Sequence, residues 1–162
     1  MQNFGFAGLD NVIHIGTNGK MTEVCAAMGL TNLENIDVFL DINKRNYDQY
    51  REQLAVVPGI KLISFDENEN CNWQYIVIEV GDSYPLSRDE LMEFLHSEKV
   101  RARRYFWPGC HRMEPYRSMR PDSVYKLDIT EAVARKILVL PTGTAIGPSE
   151  VSKVCELIAR KH

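Results

Sequence analysis

The spacing of apolar residues along the first third of the chain predicts two amphipathic helices. Four residues recur at steps of three and four positions and share one helical face: Met21, Val24, Cys25 and Met28. We expect Gly29 to interrupt this helix, because glycine weakens a helix interior. A second stripe of the same period predicts a longer helix over residues 32–54, which Pro58 and Gly59 terminate.

The pattern then changes to the period of two that is typical of strands. Residues 60–65 and 73–80 are rich in β-branched and aromatic side chains and predict two strands. Ser87 lies three residues before Glu90, and this capping box predicts the start of a short helix. A further strand is predicted over residues 100–106.

The pattern near the end of the chain predicts a long loop followed by two helices. Residues 107–121 hold three prolines and a glycine, which favour an irregular loop. One helix is predicted from Thr130 to about residue 139. Another is predicted over residues 149–160, with Pro148 well placed at its first turn.

This order of elements predicts an α+β fold. Strands that follow one another without a helical crossover favour a small antiparallel or mixed sheet, here flanked by helices. We expect residues 1–57 to form a helical arm and interface segment. Residues 58–162 are expected to form the α+β domain.

The overall charge argues against a nucleic-acid-binding protein. The chain has 19 Lys and Arg against 22 Asp and Glu, whereas nucleic-acid-binding domains are usually basic. No run of 18 apolar residues is present, so no membrane span is predicted. Residues 1–19 do not resemble a secretion signal. The four cysteines form no CxxC pair, and we expect free thiols in the cytoplasm and no metal site.

Two segments carry residues that suit a phosphorylated ligand. The turn Gly16-Thr17-Asn18-Gly19-Lys20 precedes a predicted helix, whose free N–H groups favour an anion; a plain helix-capping turn is the alternative. Residues 99–120 hold seven Lys and Arg and one acid, Glu114, with aromatic residues between them. This mixture suits a base or sugar carrying phosphate, and a solvated basic face is the alternative. Within this segment, His111 is a candidate for proton transfer.

Several segments, in order, resemble the DegT-type sugar-nucleotide aminotransferases. They are NFGF (3–6), GTNGKMTEVCAAMGL (16–30), NKRNYDQYREQL (43–54), LSRDELMEFLHSEKV (86–100), RRYFWPGCHRMEPY (103–116) and TEAVARKILVLPTG (130–143). The resemblance covers nearly the whole chain. It implies the small C-terminal domain of a fold-type-I enzyme that uses pyridoxal phosphate (PLP). Such enzymes transfer an amino group, typically from glutamate or glutamine, onto a nucleotide-linked keto sugar.

The resemblance also implies roles for individual residues. In the family's GTN-x-(K/R)-M motif, the asparagine reaches the PLP phosphate of the neighbouring subunit. This assigns cofactor binding to Asn18 and places Lys20 in the same motif. Arg103, Tyr105 and His111 match a family region near the substrate, where a positive field suits a nucleotide diphosphate. Family members are dimers with active sites at the subunit interface, which implies a homodimer formed through the N-terminal helices.

The resemblance does not include the family's catalytic half. In family members, the Schiff-base lysine and the residues that hold the PLP ring precede the NFGF segment, so no catalytic residue is assigned here. We expect a truncated or separately encoded C-terminal domain that is inactive alone and uses PLP only with a catalytic half. The alternative is a non-catalytic module that binds a nucleotide sugar or phosphate, or that serves oligomerisation.

Overall fold

The chain divides into two compact units, residues 1–38 and residues 39–162. The structure, a computed structural model, describes residues 7, 13–66, 68–121 and 127–161. The NFGF segment lies outside the described residues. The division falls inside helix α2 (Ile36–Leu54), so the part of the expected arm from Phe39 onward belongs to the second unit.

The first unit contains helix α1 (Glu23–Glu34). Thr22 caps this helix, because its side-chain oxygen accepts a hydrogen bond from the Cys25 amide at 3.3 Å. The prediction that Gly29 interrupts the helix is wrong. A single interior glycine costs a helix only about 1 kcal/mol, and α1 continues past it to Glu34. Because α2 begins at Ile36, the single helix predicted over residues 32–54 is divided between α1 and α2.

The second unit contains a three-stranded antiparallel sheet in the order β1-β2-β3. Its strands are β1 (Ile60–Leu62), β2 (Ile76–Val80) and β3 (Ile137–Leu140). In the central strand, Ile78 lies opposite Leu62 on one side and Leu138 on the other. The predicted α+β fold with a small antiparallel sheet is therefore confirmed.

Local signals position several helices of the second unit. After α2, the helices are α3 (Arg88–Ser97), α4 (Tyr116–Met119), α5 (Asp128–Lys136) and α6 (Pro148–Ala159), with a 3₁₀ turn at Cys110–Arg112. The predicted capping box is present, since Ser87 N donates to Glu90 Oε2 at 2.8 Å and Glu90 N donates to Ser87 Oγ at 3.3 Å. Within the described ranges, none of the helices combines the length with the apolar character that crossing a membrane requires.

Helices α2, α3 and α6 share one hydrophobic core with the sheet. Its fully buried members include Tyr50, Ile78, Leu91, Leu95, Leu138 and Ile158. The phenol of Tyr50 donates to the Pro141 carbonyl at 3.0 Å. The phenol of Tyr84 donates to the Ile158 carbonyl at 2.7 Å. These bonds satisfy the polar ends of two core tyrosines, as buried phenols require.

Two sequence predictions near the end of the chain are wrong. The helix expected to reach residue 139 ends at Lys136, and Ile137–Leu140 forms β3. A short apolar run does not distinguish a strand from a helix by its period, and pairing with β2 decides the matter here. Residues 100–106 do not form a strand. Arg103 alone makes an isolated bridge, with Val139 of β3.

A buried arginine joins α3 to the junction between α5 and β3. Arg88 Nη1 donates to the carbonyls of Ala134 at 2.9 Å and Ile137 at 3.0 Å. Its Nε donates to Asp89 at 2.7 Å. Burial lowers the pKa of the Arg88 guanidinium, and the negative charge of Asp89 opposes that shift. Arg88 thus supplies donors where the chain changes from helix to strand.

Replacing Arg88 with leucine leaves the Ala134 and Ile137 carbonyls without this donor in a buried setting. An unsatisfied buried group costs about 1–3 kcal/mol. We therefore expect R88L to lower the free energy of unfolding by about 3 kcal/mol in urea titrations followed by circular dichroism. The exposed Arg101 provides the control, and R101L should change this free energy by less than about 0.5 kcal/mol. Equal stability of R88L and wild type would contradict the assigned role.

Candidate functional site

A groove of about 430 Å³ lies beside α3 in the second unit. Its lining consists of Met92, His96, Ala102, Arg103, Arg104, Tyr105, Phe106, Trp107 and Met113. Helix α3 supplies the first two residues, and the segment after α3 supplies the others. The groove therefore combines two guanidinium groups with aromatic and methionine side chains.

Strand β3 fixes the backbone of Arg103 at the groove. Arg103 N donates to the Val139 carbonyl at 3.0 Å, and Val139 N donates to the Arg103 carbonyl at 2.8 Å. The guanidinium lies 5.5 Å from the centroid of the Tyr105 ring and hydrogen-bonds the Tyr105 hydroxyl. The sheet thereby holds a cation and an aromatic ring together at one edge of the groove.

Tyr105 belongs to an aromatic ledge, formed by Tyr75, Tyr105 and Phe106. The Tyr105 ring centroid lies 5.1 Å from that of Phe106 and 5.6 Å from that of Tyr75. Phe106 is 68% exposed and Tyr75 is 45% exposed. The ledge therefore offers apolar ring surface to a ligand, beside the positive charge of Arg103.

Two arginines hold Trp107 in the lining of the groove. The guanidinium carbons of Arg88 and Arg104 lie 4.9 Å and 5.8 Å from the centroid of the indole ring. Asp89 Oδ1 accepts hydrogen bonds from both arginines, at 2.7 Å and 3.0 Å. Cation–π contacts of this kind fix a tryptophan more firmly than apolar contacts alone. The interaction that stabilises the fold at Arg88 therefore also shapes the groove.

His111 lies in a separate buried cluster. Its Nε2 lies 2.5 Å from Glu131 Oε1, and Arg112 Nε donates to the same oxygen. These donors, Arg112 first and His111 second, lower the pKa of Glu131 to about 2. Glu131 is thus ionised at neutral pH. Because its pKa is lowered, its contribution to stability is full above pH about 4.5 and is lost as the pH falls toward 2.

The structure brings together some of the residues that the sequence singled out. Arg103 and Tyr105 meet at the groove, whereas His111 is not among the residues that line it. Asn18 and Lys20 lie in the first unit, exposed on the turn that precedes α1. The ligand-binding roles that the resemblance implies for all five residues stay predictions.

Sequence reasoning missed Arg88 and Glu131. A signal existed for Arg88, because a basic residue in the first turn of a helix opposes the helix dipole and so indicates a partner elsewhere. Glu131 carries no such signal, since an acid in the first turn of a helix is ordinary. Its partners lie about twenty positions away along the chain.

The described residues contain neither a cluster of metal ligands nor a buried lysine. No group of three His, Cys, Asp or Glu side chains within the described ranges is placed to hold a metal ion. A covalent PLP site needs a lysine inside a pocket that also holds the ring and phosphate. None of the described lysines is buried, and Lys126 lies outside the described residues. The described residues therefore present no buried lysine for a covalent PLP site.

Comparison with known proteins shows extended similarity to sugar aminotransferases. The chain is 35% identical over 161 residues to the dTDP-4-amino-4,6-dideoxy-D-glucose transaminase of Escherichia coli; the match covers 99% of this chain and 43% of that enzyme. It is 37% identical to the transaminase of the same description from Shigella dysenteriae, over 87% of this chain and 38% of that enzyme. The chain thus spans about two fifths of the length of these relatives.

Solved structures show the same correspondence. DesI, crystallised in the presence of its TDP-sugar product, matches with a TM-score of 0.83 and 41% identity, covering 98% of this chain and 40% of that chain. Helicobacter pylori PseC, an aminotransferase, matches at a TM-score of 0.85 and 15% identity, over 99% of this chain and 43% of that chain, and supports the fold. The model of the DegT/DnrJ/EryC1/StrS aminotransferase family matches residues 1–159, and the chain belongs to this family.

Proposed function

We propose that this chain is the C-terminal part of a PLP-dependent aminotransferase for nucleotide-linked sugars, and that its groove binds the nucleotide of the substrate. The activity of the E. coli and S. dysenteriae relatives, dTDP-4-amino-4,6-dideoxy-D-glucose transaminases, supports this class of substrate. The TDP-sugar product present with DesI supports it as well. Because the chain spans about two fifths of these proteins, amino transfer in this proposal belongs to the assembled enzyme.

The pairing of Arg103 with the aromatic ledge is the observation that carries the proposal. A guanidinium group suits a diphosphate because its planar fork of donors matches phosphate oxygens. An exposed aromatic ring suits a nucleobase, which stacks on it. Both surfaces occur within one groove. They lie in the basic segment 99–120 of a chain whose net charge is −3, so the positive field is concentrated there.

The cofactor in this proposal is held mainly by groups outside the described residues. When bound, PLP supplies the carbonyl group that takes up the amino group. Asn18 is exposed. In this proposal it donates to the cofactor phosphate of a neighbouring subunit, which is the role that the resemblance implies. Lys20 on the same turn adds positive charge toward that phosphate. The lysine that anchors the cofactor comes from a catalytic half.

The first unit exposes several apolar side chains of α1, which favour assembly. None of the residues of α1 is buried, and five apolar side chains on or just before this helix are more than 60% exposed: Met21, Val24, Met28, Leu30 and Leu33. A surface of this kind is rarely left in contact with water. We propose that a second copy of the chain covers it in a homodimer. A catalytic half is the alternative partner for the same surface. Oligomerisation without catalysis is the second candidate function, and these exposed apolar side chains support it.

Nucleotide binding is tested by titrating the 162-residue chain with TDP and TDP-glucose in a calorimeter. A hydrogen bond to a charged group contributes about 1.5–3 kcal/mol. We therefore expect Arg103→Ala to weaken binding at least about tenfold. Arg101→Ala is the matched control, because Arg101 is an exposed arginine of the same segment that does not line the groove. The absence of binding heat at millimolar nucleotide, or an equal loss of affinity in both variants, would contradict nucleotide binding by the groove.

The cofactor assignment is tested by mixing the purified chain with PLP, reducing with borohydride and mapping modified lysines by mass spectrometry. Surface lysines react weakly and without selectivity, so we expect scattered, substoichiometric labelling. A single stoichiometric adduct, whether on Lys126 or on a described lysine, would contradict the need for a catalytic half. It would indicate an aminotransferase that acts alone.

Assembly is tested by sedimentation velocity over a range of protein concentrations. We expect a dimer that dissociates on dilution, and a shift toward monomer in Met28→Lys, which places a charge among the exposed apolar side chains of α1. Arg160→Glu, a charge change on the exposed end of α6, should sediment like wild type. A wild-type chain that remains monomeric at all concentrations would contradict self-association through α1.

A further inference from the structure

Glu131 binds two consecutive side chains of the turn beside the groove. Its Oε1 accepts from His111 Nε2 at 2.5 Å and from Arg112 Nε. Its Oε2 lies 3.6 Å from Arg135 Nη2 on the same helix. His111 is 9% exposed and Glu131 is 8% exposed, so the contact between these two side chains is largely shielded from water. A single carboxylate on α5 thus attaches the turn to a helix.

The turn is built closely around the His111 ring. Gly109 has a φ of +96°, and a Cβ there would lie 2.7 Å from His111 Cε1. Arg112 N donates to the Gly109 carbonyl at 3.0 Å, and Met113 N donates to the Cys110 carbonyl at 3.1 Å. In this turn, the Nε2 of the His111 ring faces Glu131 Oε1 at 2.5 Å.

Both ends of this turn reach the groove. Trp107 precedes the turn and Met113 ends it, and both side chains line the groove. Glu131 itself does not line it. The carboxylate is therefore placed to affect the shape of the groove through the residues it holds, without contacting a ligand there.

We propose that Glu131 is a positioning residue for nucleotide binding: by holding His111 and Arg112, it fixes the wall of the groove from Trp107 to Met113. The proposal rests on the function proposed above for the groove. It also explains why a charged group is buried at this place. Buried charges in proteins are paired, and here the pairing joins α5 to the turn.

The primary test is Glu131→Gln, which keeps the shape of the side chain and removes its charge. We expect TDP affinity to fall about tenfold, because charge-assisted hydrogen bonds are roughly twice as strong as neutral ones. Glu114→Gln is the matched control. Glu114 is exposed and pairs with Arg117 and Ser118, so its removal should leave affinity unchanged.

Hydrogen exchange separates positioning from a general loss of stability. In E131Q, we expect faster exchange at the amides of residues 109–113, with the amides of β2 as protected as in wild type. The ¹⁵N signals of His111 should also change, because the Nε2–H donor loses its charged acceptor. Wild-type exchange in the turn, or equal loss of protection throughout the fold, would overturn the proposal.

A second variant covers the case in which E131Q does not fold. The Arg112 side chain is 38% exposed, so Arg112→Ala removes one donor without opening a buried cavity. We expect R112A to fold, to loosen the same turn and to weaken TDP binding by a smaller factor. If wild type does not bind TDP, the function proposed for the groove fails, while exchange in the turn still decides whether Glu131 holds it. Unchanged exchange in R112A and E131Q together would overturn the role of Glu131.

Discussion

The hydrogen bonds of the buried Arg88 guanidinium are the constraint on which the rest of the second unit depends. They connect the start of α3 to the carbonyls at the junction of α5 and β3. A cation in the first turn of a helix is unfavourable by itself, so the carbonyls and Asp89 must offset both the helix dipole and the loss of water. Through Trp107, the same guanidinium reaches the groove. Fold and groove are therefore coupled at one side chain.

The segment that lines the groove is held by polar anchors of opposite sign. Arg88 and Arg104 hold Trp107 near its start, and Glu131 holds His111 and Arg112 nearer its end. Polar contacts fix a loop in one arrangement because they need defined directions, whereas apolar contacts tolerate sliding. A groove with this construction keeps Arg103 and the aromatic ledge exposed. The surfaces proposed to contact a nucleotide therefore remain accessible.

Membership of the aminotransferase family gives these features a common context. Under the function proposed above, a further component would complete each feature: a ligand in the groove, a cofactor at the exposed turn of Asn18 and a second chain at the exposed apolar side chains of α1. The described lysines lie at the surface, which fits a chain that spans about two fifths of its relatives. In this interpretation the chain contributes recognition and assembly, and the amino-transfer chemistry belongs to the other part of the enzyme.

The sequence by itself determined the elements that depend on neighbouring residues. The Ser87–Glu90 box starts α3, Pro148 starts α6, and alternation marks β2, because each signal acts within a turn or a strand. The family was also predictable from the ordered motifs, and Arg103 and Tyr105 were singled out because they match a family region near the substrate. Only the tertiary structure decided that Ile137–Leu140 is a strand, that Arg88 is buried and that Glu131 holds His111. These outcomes depend on hydrogen bonds between residues 20 or more positions apart. A local sequence pattern does not contain the information that such distant pairings require.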